Sequence, residues 1–95
     1  MVEIRFLVRA DFDLEAAIAW FEDRSHRAAR RFEVEVAAAL DRIARFPELY
    51  ARIDERHRIC PIRKSPFLLV YRFQPTTKTI TVVAVPHAHQ EPRDW

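Results

Sequence analysis

The chain contains no glycine. Glycine is the residue that adopts positive φ without steric cost and lets a backbone approach a phosphate closely. A chain without it cannot build the glycine-rich loop of a P-loop or a dinucleotide-binding fingerprint. Neither common class of nucleotide-cofactor enzyme is therefore open to it. Two-residue hairpin turns also depend on glycine, so longer connections between strands are expected. Within those limits the 95 residues, 49% of them apolar, suit one folded domain over residues 1–95 with one core. No apolar run reaches the ~18 residues of a membrane span. The opening Met1-Val2-Glu3-Ile4-Arg5 lacks a signal-peptide core. The single cysteine, Cys60, excludes an internal disulfide and makes a reducing cytoplasm the expected compartment.

Hydrophobic periodicity then orders the elements. Residues 2–9 alternate, with Ile4, Phe6 and Val8 on one face and Glu3, Arg5 and Arg9 on the other, which predicts a strand. Asp11 or Asp13 follows as a helix N-cap, where a carboxylate accepts from free backbone N–H groups at the positive end of the helix dipole. Leu14, Ile18 and Phe21, with Ala17 beside them and Trp20 at the edge, predict an amphipathic helix to about Arg24. Ser25 caps a second helix whose stripe is Ala29, Phe32, Val36, Leu40 and Ile43. That helix stops near Phe46, because Pro47 disfavours the α conformation in the residue before it. The short connection makes the two helices an antiparallel hairpin.

After a polar connector (Arg52 to Glu55) the period changes to two. Residues 56–64 predict a strand interrupted by Pro61, which has no N–H to donate and so marks an edge or a bulge. Lys64-Ser65-Pro66 turns the chain into an almost continuous apolar run, residues 67–73, as expected of a central strand. Residues 74–78 make a turn without glycine. Residues 79–85 form the last strand, and Pro86 ends it. The order β-α-α-β-β-β predicts an α+β fold, with the helical hairpin packed on one face of a mainly antiparallel four-stranded sheet.

The net charge of +2 is unevenly spread. Residues 11–45 carry eight acids against six bases. Residues 52–72 carry six bases (Arg52, Arg56, Arg58, Arg63, Lys64, Arg72) against two acids, Asp54 and Glu55. A local basic excess implies an anionic partner, either nucleic acid or an acidic protein segment, or else a solvated basic face.

In this order, several phrases carry a resemblance. They are Asp13-Leu-Glu-Ala-Ala-Ile-Ala-Trp-Phe21, Arg31-Phe32, Ala39-Leu40, Ile43-Ala-Arg-Phe-Pro-Glu-Leu-Tyr50, Val70-Tyr71-Arg72, His87-Ala-His89 and Pro92-Arg-Asp-Trp95. Together they span nearly the whole chain, which resembles the RelE/ParE superfamily of bacterial toxins from type II, plasmid-stabilising toxin–antitoxin systems. The resemblance implies no cofactor and no metal. It also implies a cognate antitoxin that wraps the toxin with a segment folding on binding. It leaves two targets, because the superfamily divides into ribosome-dependent mRNA endonucleases and inhibitors of DNA gyrase. A member that only binds its antitoxin is a third reading.

Metal-independent RNA cleavage uses the ribose 2′-OH as nucleophile, so it needs a base, an acid and cations for the growing phosphate charge. The resemblance then assigns Arg72 as cation, with Arg63 and Lys64 as further candidates, and His87 or His89 as acid/base. RNase members often carry an arginine before the Leu-Val-Tyr of the central strand. Here that phrase is Leu68-Leu69-Val70-Tyr71, with an apolar residue at the position, which favours the gyrase-inhibiting, ParE-like branch. For that branch the target-binding cations are Arg58, Arg63, Lys64, Arg72 and Arg93. Each candidate has a plainer reading beside it. His87 and His89, two apart, read as a surface pair without the spacing of a metal site. Cys60 reads as a small core hydrophobe, Tyr71 as a sheet residue, and Trp20, Phe21 and Phe32 as core or partner contacts.

Overall fold

The helical hairpin forms where the apolar spacing predicts it. In the computed structural model, which describes residues 1–89, the order is β1 (Glu3–Phe6), α1 (Val8–Glu22), α2 (His26–Arg45), β2 (Arg58–Pro61), β3 (Leu68–Gln74) and β4 (Thr79–Ala84). Ser25 caps α2 as expected, its hydroxyl accepting the Ala28 N–H at 3.0 Å. Phe46 ends α2 directly before Pro47. The core faces of both helices, including Ala17, Phe32, Val36, Ala39 and Ile43, pack on Cys60, Ile62, Leu69, Tyr71, Ile80 and Val82 of the sheet side. Val70, Val83 and Ala84, with Ile59, form a smaller cluster on the sheet's other face. No helix among the described residues is long and apolar enough to cross a membrane.

The N-terminal expectation needs correction. The strand predicted over residues 2–9 is confined to Glu3–Phe6, and Val8 is already helical and exposed. The reason lies in the partner strand. β1 runs parallel to β4, and the last bond of that ladder joins the Leu7 N–H to the Val82 carbonyl at 3.0 Å. Beyond Val82, β4 bulges, because Tyr71 pairs with Val82 but Val70 pairs with Ala84. A longer β1 would have no continuous partner. The cap expectation moves with it. Leu7, which makes no side-chain cap bond, precedes α1, while Asp11 and Asp13 lie inside the helix. Asp13 does accept a backbone N–H, but from Val85, 72 residues away, at 2.9 Å.

The sheet order is β1-β4-β3-β2, with the β2–β3 and β3–β4 pairs antiparallel. Pro61 falls in the edge strand β2, where its missing N–H is tolerated. The turns confirm what the lack of glycine implies. The β3–β4 connection takes four residues, 75–78, with the Lys78 N–H bonded to the Pro75 carbonyl at 3.2 Å. Lys78 (φ 51°) and Lys64 (φ 61°) occupy the left-handed conformations that glycine would fill elsewhere. Each costs on the order of 1 kcal/mol through the Cβ–carbonyl clash.

Candidate functional site

Four arginines of the basic stretch meet in one open groove. It lies between the end of the β3–β4 hairpin and the connector that follows α2, and its volume is about 540 Å³. Arg52, Arg56, Arg58 and Arg72 line it, against the carboxylates of Glu48 and Glu55. Arg72 reaches it from β3, where alternation turns it away from the helices and opposite Thr81 of β4.

The segment 47–50, whose Glu48 lines the groove, is held by two side chains of the sheet. Arg58, first residue of β2, donates from Nη1 to the carbonyls of Glu48 (3.0 Å) and Tyr50 (2.8 Å). Tyr71, its partner across the ladder, donates from its hydroxyl to the Pro47 carbonyl at 2.7 Å. Burial pushes the Tyr71 phenol up to about 12. The loop carrying Arg52 and Arg56 is closed by the Ile53 N–H on the His57 carbonyl at 2.9 Å. Inside it, Asp54 accepts the backbone N–H groups of Arg56 and His57, both at 2.7 Å, and stands 3.0 Å from His57 Nδ1. The Arg56 N–H foremost, aided by His57, holds the Asp54 carboxyl below the usual range. His57 is buried, and its Nε2 finds no hydrogen-bond partner among the described residues.

The residues singled out from the sequence divide into separate places. Arg58 and Arg72 share the groove. Arg63 and Lys64 lie beyond the far end of β2, exposed, with Lys64 Nζ 3.8 Å from Glu35 Oε2 of α2. Arg93 lies outside the described residues, as does the Pro92-Arg-Asp-Trp95 phrase. His87 bridges to Phe67 at the start of β3 and stands among aromatic rings, with centroids 5.3 Å from Phe67, 6.4 Å from Trp20 and 5.3 Å from His89. Phe67 is five residues from Arg72, about 16 Å of backbone at the usual strand rise, so His87 lies at the opposite end of β3 from the arginine. Trp20, Phe21 and Phe32 join the same ring cluster rather than forming a free stacking face. Cys60 is fully buried, and desolvation pushes its thiol up, away from nucleophilic character. Among the described residues no group of three or more His, Cys, Asp or Glu side chains could hold a metal ion.

Sequence reasoning counted Arg52 and Arg56 in the basic excess but did not assign them to a site. It also missed the Asp54–His57 pair and the clamping role of Arg58. An aspartate two and three residues ahead of the N–H groups it accepts is a turn signal that could have found the first. Nothing local announces the second, since its acceptors are carbonyls eight and ten residues away.

The comparisons with known proteins agree with this fold. The sequence model of the family described as ParE toxin of type II toxin-antitoxin system, parDE, matches residues 4–92. A solved structure described as the chromosomal ParDE toxin–antitoxin system from P. aeruginosa aligns with a TM-score of 0.69 at 15% identity, covering 92% of this chain and 96% of that one. The isolated E. coli RelE toxin aligns with a TM-score of 0.58, also at 15% identity, covering 96% of this chain and 88% of the other. At that identity the likeness concerns the fold. No curated protein sequence gives a significant match. With the family match running through all six elements from β1 to the histidine pair, the chain belongs to the ParE toxin family of type II toxin–antitoxin systems.

Proposed function

We propose that this toxin acts by binding DNA gyrase, without a chemical step of its own. The observation that carries the reading is that Arg72 lines the groove at one end of β3 while His87 is bridged to Phe67 at the other, about 16 Å of backbone away at the usual strand rise. Acid–base catalysis needs its groups within roughly 3 Å of the atoms they serve. The supporting electrostatics come from the groove, which four arginines and two glutamates line. Such a surface suits a DNA-bound enzyme, which presents an anionic and salt-sensitive face. Arg58, Arg63, Lys64, Arg72 and Arg93 are the cations assigned to that contact, with Arg52 and Arg56 added by the groove.

Family membership implies an antitoxin partner. Its inhibitory segment is proposed to be amphipathic and acid-bearing, docking between the helical hairpin and the sheet with salt-sensitive contacts to the bases of residues 52–72. Phe46, Leu49 and Ile53, exposed in the segment that also carries Glu48 and Arg52 of the groove, offer apolar anchors for it.

The test is inhibition of supercoiling by purified gyrase across a salt series. Wild type is compared with Arg72→Ala and with the double variant Arg63→Ala/Lys64→Ala. Each lost charge should weaken inhibition by about fivefold, the scale of 1 kcal/mol, with the loss shrinking as salt rises. If wild type leaves gyrase untouched at micromolar concentration but cuts mRNA on ribosomes, the endonuclease reading replaces this one. In that case His87→Ala, His89→Ala or Arg72→Ala should slow single-turnover cleavage by about 10²-fold. Inactivity in both assays leaves a chain that only binds its antitoxin.

A further inference from the structure

β1 ends one side of the sheet and pairs along one edge only. In its ladder with β4, odd-numbered residues turn their backbone groups inward, the N–H groups of Glu3 and Leu7 bonding to the carbonyls of Lys78 and Val82 at 3.0 Å. Backbone groups alternate along a strand, so Val2, Ile4 and Phe6 present theirs outward. Among the described residues nothing pairs with that edge. The side chains of the same three residues lie on the helix-bearing face, packed against the core yet half-exposed at its rim. Glu3 and Arg5 stand exposed on the opposite face and form an ion pair with each other.

We propose that this edge is a self-association surface, through which two copies of the chain pair β1 to β1, antiparallel about a two-fold axis, in one continuous eight-stranded sheet. The choice of a second copy as occupant follows from the charge order. A two-fold axis perpendicular to the sheet keeps the helices of both copies on one side and pairs even residues with even, odd with odd. Centred on Glu3, it opposes two carboxylates. Centred on Arg5, it opposes two guanidiniums, and like charges directly opposite one another are destabilising. Centred on Ile4, it sets each Glu3 against Arg5 of the second copy, and each Val2 against Phe6 of the second copy. The Ile4-centred register is also the one in which the outward N–H and C=O groups of Val2, Ile4 and Phe6 satisfy each other in hydrogen-bonded pairs. It covers the half-exposed apolar rim and leaves no free edge at β1. The segment Val2-Glu3-Ile4-Arg5-Phe6 is thus complementary to its own reverse, as an isologous dimer contact requires.

The experiment is sedimentation velocity on the purified chain from micromolar to submillimolar concentration, with the charge variants E3R and R5E. Both positions are exposed on the sheet face away from the core, so circular dichroism should report an unchanged fold. Wild type should dimerise. Each variant alone puts like charges across the axis twice and should weaken the dimer by about tenfold or more. An equimolar mixture of E3R and R5E restores opposite charge at both crossings and should recover the wild-type affinity. Amide exchange at Ile4 and Phe6 should slow as wild type dimerises. A wild type that stays monomeric throughout, variants that dimerise as tightly as wild type, or a mixture no tighter than its components would each overturn the proposal. Amides of Ile4 and Phe6 that become protected only when antitoxin is added would assign the edge to the antitoxin and overturn it too.

Discussion

Replacing Tyr71 by phenylalanine removes one oxygen from the core and should loosen the 47–50 segment, which carries Glu48 to the arginine groove. The ring is fully buried, and its hydroxyl donates to the Pro47 carbonyl at 2.7 Å. Phenylalanine keeps the ring and its buried area, so the loss reduces to the hydrogen bond, about 0.5–1.5 kcal/mol net. For a domain of this length, about 1 kcal/mol corresponds to roughly 4–8 °C in Tm. The same hydroxyl has a pH signature. Burial raises its pKa to about 12, from an ordinary value near 10. A raised folded-state pKa gives stabilisation that is complete below the unfolded value and lost as pH rises through the folded one. The window therefore runs from about pH 10 to about 12. Discounted for solvent screening, the loss there is roughly 1–2 kcal/mol. Tyr71→Phe has nothing to ionise at this position. Urea denaturation of both proteins at stepped pH should show wild type ahead at pH 7, with the gap narrowing and vanishing above pH 10. A gap that stays constant through the window, or no destabilisation at pH 7, would refute the burial and clamping roles together.

Asp13→Ala should cost about 1–3 kcal/mol, because the buried Val85 N–H loses a charged acceptor supplied from α1; a thermal shift indistinguishable from that of a surface substitution would rule this out. Lys64→Gly should stabilise the fold by roughly 0.5 kcal/mol, the relief of a positive φ less the added chain entropy, since the ion pair it sacrifices is long, 3.8 Å, with its lysine end in solvent, and is worth little; a lower Cm in urea contradicts it. Asp54 has a depressed pKa, so its hold on the 52–57 loop is complete above the ordinary carboxyl range near pH ~4 and is lost as pH falls below it. Amide exchange at Arg56 and His57, corrected for the intrinsic rate, should quicken on acidification and be fast at neutral pH in Asp54→Ala. Protection insensitive to both changes would remove Asp54 from that role.

What the sequence by itself determined was local. Both helices in outline, the Ser25 cap, the stop before Pro47, an edge or a bulge at Pro61 and a longer turn over 74–78 all follow from neighbours within a few residues. Helix periodicity, capping and proline geometry act over that range. The resemblance to RelE/ParE toxins was legible for a similar reason, since its phrases are core stripes and caps in a fixed order. The start of α1 was not legible. Alternation through Val8 is compatible with a longer strand, and only the parallel partner β4, with its bulge after Val82, sets where β1 must end. Asp13 looked like a cap because short-range chemistry offers it no better role, whereas the fold brings Val85 to it from 72 residues away. The candidate site divides along the same line. The basic excess of residues 52–72 was countable, but its division was decided by strand pairing, which draws Arg52, Arg56, Arg58 and Arg72 to one end of the sheet. The same pairing seats His87 beside Phe67 at the other end. Charge composition records which groups a chain owns, and antiparallel register decides which of them can face the same partner.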